Sequence, residues 1–218
     1  MKPPSDSRKN ILDRIHHAIG AMPDTTAAYC DLPREYICRG TRSSAERIQL
    51  MIERLREYEA GVTECAPEDL TATLAAELKA SARHTLVAPP GLPSEWLIEG
   101  INWKIDHDLP AAEIEKCEGV VTTASAGIAD SGTIVLLHST TEGRRILTLL
   151  PDWHLCILRA SQIVETLPEF FDRCSQPPTL ATLISGPSAT ADIEMTRIKG
   201  VHGPRFLQVI LVHDIISN

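Results

Sequence analysis

From residue 62 onward the sequence alternates short aliphatic runs with helix-period stretches, and this alternation narrows the fold more than any other feature. Val62–Cys65, His84–Ala88, Asn102–Ile105, Gly119–Thr123, Thr133–Leu137, Trp153–Leu158, Leu180–Ser185 and Phe206–Val212 read as strands. Glu68–Ala82, Ser94–Glu99, Ala111–Glu118 and Gln162–Arg173 read as the helices between them, and Pro89 and Pro90 halt the strand before them. Continuous apolar runs such as Ile134–Leu137 suit strands covered on both faces. The expected fold class is therefore α/β, a single domain around a largely parallel, two-sided sheet. Upstream, Ile11, Leu12, Ile15 and Ile19 share one face of a helix over residues 7–20, with Gly20 as its stop. Residues 21–42 hold Pro23, Pro33 and Gly40 without a sustained period and read as an irregular connection. Ser43 or Ser44 can cap a second helix carrying Ile48, Ile52, Leu55 and Tyr58, with Gly61 ending it. The expected division is an N-terminal helical arm and connection over 1–42 and an α/β domain over 43–218.

Composition excludes several classes. Lysine plus arginine is 21 and aspartate plus glutamate 29, a net charge of −8, which repels phosphate backbones and anionic lipid heads. Neither nucleic acid nor membrane is an expected partner, and no apolar run approaches the ~20 residues that span a bilayer. The N-terminal MKPPSDSRKN lacks the apolar core of a signal peptide, so the expected location is cytoplasmic. The six cysteines, at 30, 38, 65, 117, 156 and 174, then read as reduced thiols. No two lie closer than eight positions, a spacing foreign to iron–sulfur and zinc-ribbon sites, and no HxH or HExxH spacing suggests a metal.

Four segments carry candidate chemistry. Gly127-Ile-Ala-Asp130-Ser131-Gly132-Thr133 joins two strands, either as a plain turn or as a polar loop open to a ligand. Ser185-Gly186-Pro187-Ser188, followed by Asp192 and Glu194, is either a capped helical turn or an anion-binding turn suited to a carboxylate or hydroxyl ligand. In Gly200-Val-His202-Gly203-Pro204 the imidazole is a general acid–base candidate or a turn residue bonded to backbone. Arg144 and Arg145 can grip a carboxylate bidentately or pair with neighbouring acids. Ser188, Asp192 and His202 lack the flanking glycine of a nucleophile elbow, so chance explains that trio better than a hydrolytic triad.

Three stretches taken in order resemble the LUD domain family, in its lactate utilization protein C group. They are Ile128-Ala-Asp-Ser-Gly-Thr-Ile-Val-Leu136, Ser185-Gly-Pro-Ser188 with Ala191-Asp-Ile-Glu194, and Gly200-Val-His-Gly-Pro204. Gly143-Arg-Arg, Leu149-Leu-Pro151 and the Ile15–Gly20 helix end fit the same group, and the similarity runs from about residue 10 to 213. The resemblance implies a fold related to the ribose-phosphate isomerase, glucosamine-phosphate deaminase and CoA-transferase superfamily. It also implies an accessory role in oxidising L-lactate to pyruvate beside iron–sulfur lactate utilization proteins, with the clusters in those partners and no cofactor in this chain. On this reading the 127–133, 185–194 and 200–204 loops form one pocket for a small carboxylate. Arg144 or Arg145 holds it, and Asp130, Ser131, Gly132, Thr133, Ser185, Gly186, Ser188, Asp192 and Gly203 surround it, with His202 as proton carrier. The alternative is a stand-alone isomerase or acyl/CoA-transfer enzyme using the same strand-end pocket, with Glu142 as counterpart of a CoA-transferase nucleophile.

Overall fold

A computed structural model describes residues 5–20, 32–33, 35–176, 178–190, 198–199 and 203–214. The chain separates into two compact units, Met1–Tyr36 and Ile37–Asn218. In the first, helix α1 (Ser5–Ile19) ends where Gly20 turns to φ +69 and its amide bonds the His16 carbonyl at 3.0 Å. Ile11, Leu12, Ile15 and Ile19 are all exposed.

The second unit opens on residues 38–42, which two carboxylates hold in place. Glu169 accepts from the Gly40 amide at 3.1 Å, and Glu165 accepts from both the Arg42 amide and its guanidinium at 2.7 Å. Helix α2 (Ser44–Glu57) follows. Ser43 and Glu46 cap it reciprocally, and it buries Met51, Ile52 and Leu55. Glu59, at φ 64, takes the left-handed turn beyond its end, while the expected stop, Gly61, is already the first residue of β1 (Gly61–Cys65). Helix α3 (Leu70–Ala80), β2 (Thr85–Ala88), β3 (Asn102–Ile105), α4 (Ala111–Ile114) and β4 (Gly119–Thr123) come next. Strands β7 (Trp153–Arg159) and β12 (Phe206–Val212) complete a six-stranded sheet in the order β1-β12-β7-β4-β2-β3, parallel at every pairing.

Both faces of this sheet are covered, as the continuous apolar strands require. Along β7, Leu155 and Ile157 enter a core with Leu70, Leu74 and Leu78 of α3. Cys156 and Leu158 point the other way, into a core with Met51, Ile52 and Leu55 of α2. That second face also meets a smaller sheet, β8-β5-β6-β9, built from β5 (Ala126–Ile128), β6 (Thr133–Leu136), β8 (Ile163–Val164) and β9 (Thr182–Ile184). Strands β10 (Ala189–Thr190) and β11 (Ile198–Lys199) form a separate antiparallel pair.

Three expected elements differ. The helix expected over Ser94–Glu99 is a 3₁₀ turn, Ser94–Trp96. The helix expected over Gln162–Arg173 is instead a 3₁₀ turn (Ala160–Gln162), strand β8 and helix α5 (Leu167–Arg173). Pro168 is tolerated only in a first turn, and the reciprocal bonds of Thr166 and Glu169 place that turn after Thr166. The helix expected over Ala111–Glu118 stops at Ile114, and the Glu118 carboxylate accepts instead from the His84 and Thr85 amides at 2.7 and 2.8 Å.

Gly132, in the β5–β6 turn, has φ +59, and a methyl added there would lie 2.5 Å from the Arg54 Cβ of α2. Gly100 has φ +86 with nothing within 4 Å. Gly100→Ala should therefore cost only the left-handed backbone penalty, about 1 kcal/mol. Gly132→Ala adds overpacking of about 1–3 kcal/mol. Urea unfolding of the two variants checks this order. Equal midpoints would mean that α2 shifts freely to admit the methyl.

Candidate functional site

Five of the ten sequence-predicted ligand residues that the structure describes, Arg145, Ser185, Gly186, Ser188 and Gly203, meet at the amino edge of the parallel sheet, where β7 and β12 begin. The chain leaving β9 runs along this edge, and the Ser188 amide bonds the Pro204 carbonyl at 2.8 Å, fastening the 185–189 loop to the segment entering β12. A cavity of about 330 Å³ opens there, lined by Arg145, His154, Ser185, Gly186, Ser188 and Gly203 among others. Thr148 and Thr182 add hydroxyls, and Leu149, Leu183 and Leu207 add apolar wall. Asp130 is outside this lining: it sits at the β5–β6 turn, 3.4 Å from Arg42. Ser188 and Gly203 therefore do gather at strand ends, but at the amino ends rather than the carboxyl ends where α/β folds place ligands.

The remaining predicted residues divide by local chemistry. Ser131, Thr133 and Ser185 form a hydroxyl chain, with 2.7 Å between each successive pair of oxygens. This chain joins the β5–β6 turn to the loop that lines the cavity. Gly132 and Gly186 leave no room for a side chain against Arg54 and Tyr58, so their place is explained by packing on and beside α2. The two arginines separate. Arg144 forks onto Asp106, with Nε–Oδ2 2.8 Å and Nη2–Oδ1 2.6 Å, and reaches Asp108 at 2.8 Å and the Leu109 carbonyl at 2.9 Å. The Arg144 guanidinium holds the Asp106 carboxyl below the usual carboxylate range. That fork is occupied. Arg145 lines the cavity, and among the described residues no carboxylate lies within ion-pair distance of it. Asp192 and His202 lie outside the described residues.

One residue of this cavity carried no motif in the sequence. His154, the second residue of β7, faces the α2 side between Trp153 and Leu155, which face the other. It is 1 % exposed, its Nε2 lies 2.8 Å from the Thr122 hydroxyl, and its Nδ1 has no hydrogen-bond partner among the described residues. Burial pulls its pKa down to about 4, so the ring is neutral at pH 7. The only signal in the sequence is an imidazole inside an apolar strand run, which reads equally as core. Below it Cys156 is fully buried, and burial pushes its thiol up to about 12, which makes it unreactive. Among the described residues no group of three His, Cys, Asp or Glu side chains is placed to hold a metal ion, and no helix is long and apolar enough to cross a membrane.

The family model described as the LUD domain matches residues 48–212. A lactate utilization protein C from Deinococcus radiodurans is 35% identical over 213 residues, covering 95% of this chain and 96% of the relative. Another, from an Exiguobacterium species, is 30% identical over 228 residues and covers 96% and 97%. The crystal structure of a DUF162 family protein from Deinococcus radiodurans superimposes with a TM-score of 0.65 at 33% identity, covering 79% of this chain and 99% of that one.

The neutral burial of His154 sets a pH dependence. The unfolded ring binds its proton near pH 6.5 and the folded one only near 4, so the unfolded state gains protons first as pH falls. Stability is expected to decline from about pH 6.5 toward 4, by up to about 1.4 kcal/mol per pH unit. Urea titrations at pH 7 and 5 measure this. His154→Asn should be less stable at pH 7 yet show a shallower decline. An unchanged slope would assign the acid sensitivity elsewhere.

Proposed function

This chain belongs to the LUD domain family, and on that premise we propose that it serves lactate utilization, as an accessory component of an iron–sulfur-dependent system oxidising L-lactate to pyruvate in the cytoplasm. The observation that carries this reading is the near full-length likeness to lactate utilization protein C of Deinococcus radiodurans. Converting the lactate CH–OH to a C=O releases two electrons and two protons. The electrons pass to clusters held by partner iron–sulfur proteins, and this chain needs no cofactor of its own.

Its own share of the work is to bind those partners and hold a small carboxylate at the amino edge. Arg145 supplies the charge, offering two parallel N–H donors to a carboxylate. The hydroxyls of Thr148, Ser185 and Ser188 orient the remaining polar atoms, and Leu149, Leu183 and Leu207 meet the apolar part of the ligand. His202, in the Gly-Val-His-Gly-Pro segment before β12, is the proton carrier of this scheme. His154 stays neutral and positions the floor rather than exchanging protons.

Affinity purification of the tagged chain from its native host, with mass spectrometry and iron analysis, tests the partnership. Iron-bearing proteins should co-purify, and deletion should abolish growth on L-lactate. Recovery of the chain alone with lactate growth intact would overturn the reading. Arg145→Gln should slow lactate-dependent growth about tenfold or more, the loss expected for a bidentate charged contact of about 1.5–3 kcal/mol. Unchanged growth of His202→Gln would remove the proton-transfer role.

A further inference from the structure

The opposite edge of the main sheet holds a second, differently built cavity. β4 ends at Thr123 and β7 ends at Arg159, on neighbouring parallel strands, and about 330 Å³ opens beyond their carboxyl ends. This is the edge at which open α/β sheets bind ligands. Its wall contains the carboxylate of Glu142, only 1 % exposed. Three donors compensate that buried group: the Ser125 hydroxyl on Oε1 at 2.5 Å, and the Leu137 and Ser139 amides on Oε2 at 2.8 and 3.0 Å. A carboxylate accepts about four hydrogen bonds, so one position on Glu142 is left for a donor.

The rest of the wall is equally specific. Thr123 and Thr141 hydroxyls lie 2.7 Å apart, and Thr141 lies 3.2 Å from the Ser139 hydroxyl, a chain able to donate and accept along its length. The Gln162 amide ties two backbone groups together, its Oε1 accepting from the Arg159 amide at 2.8 Å and its Nε2 donating to the Ala124 carbonyl at 2.7 Å, so it stiffens the floor. Trp96 and Ile157 supply the apolar part. Arg159 is the cationic side chain of the lining; it forms no ion pair with a described carboxylate, and Asp214, whose charge it feels, is taken up by the Ser161 amide and hydroxyl.

We propose that this carboxyl-edge cavity binds a polyhydroxylated monocarboxylate. One cation matches one anionic group, Glu142 and the hydroxyl chain match several ligand hydroxyls, and Glu142 repels a second negative charge. The cavity has the volume of roughly ten water molecules, room for a chain of several hydroxylated carbons. The site is independent of the amino-edge cavity and of the lactate reading.

Calorimetric titration of the full chain with gluconate tests this, with hexanoate as the anion without hydroxyls and sorbitol as the polyol without charge. Gluconate should bind saturably with Kd below about 10 mM. Arg159→Gln, a substitution at an exposed side chain, should weaken it about tenfold or more, and Arg159→Lys should retain part of the affinity. Glu142→Gln should narrow the preference for gluconate over hexanoate. Absence of saturable binding, unchanged affinity in Arg159→Gln, or hexanoate binding as tightly as gluconate would each overturn the proposal.

Discussion

The rest of the structure depends on β7, a strand paired on both sides and buried on both faces. Every backbone group of such a strand has to find its partner in the ladder, because water cannot reach it. Its neighbours β12 and β4 supply that ladder in parallel register; α3, in the crossover from β1 to β2, covers one face, and α2, which precedes β1, covers the other. The side-chain period of two then decides what each face receives. Leu155 and Ile157 go to one core, Cys156 and Leu158 to the other, and His154 is carried to the α2 side by position alone. A one-residue slip of β7 would move the imidazole to the α3 face and expose its apolar neighbours to the wrong layer.

The same constraint explains what could be read from the residues alone. β12 was legible from Phe206 to Val212 because seven apolar-rich residues between a Gly-Pro turn and a polar end have no helical alternative. β5 and β8 were not legible as strands. They are three and two residues long, and what makes them strands is mutual pairing and pairing with β6, a long-range property with no local period. The break at Thr166 was locally encoded by Thr-Leu-Pro-Glu, yet the apolar residues Ile163, Val164 and Phe170 make an equally good helical stripe and masked it. The resemblance pointed to the LUD family before any geometry, and the family match over residues 48–212 agrees.

Site residues were legible by type and much less by role. Arg144 and Arg145 are adjacent and chemically identical, and only the fold distinguishes them, by setting Asp106 from the end of β3 against one and open cavity against the other. Gly132 and Gly186 also pack against α2 and its end, where an added side chain would meet Arg54 or Tyr58, and Gly186 lines the amino-edge cavity as well. His154 had no motif because its placement comes from strand register. The two sheet edges also differ in electrostatic character: one carries an arginine with a neutral imidazole, the other an arginine opposed by a buried carboxylate.

The indole rings give this arrangement an optical consequence. Trp96 lines the carboxyl-edge cavity, and Trp153 stands next to His154 at the amino edge with the Arg83 guanidinium 5.0 Å over its ring. Both are almost wholly shielded from solvent, at 7% and 5% exposure. Each end of the sheet thus contains an indole in a distinct electrostatic setting, and because Trp96 stands in the cavity wall, its emission can report occupancy at the carboxyl edge without a label attached to the protein.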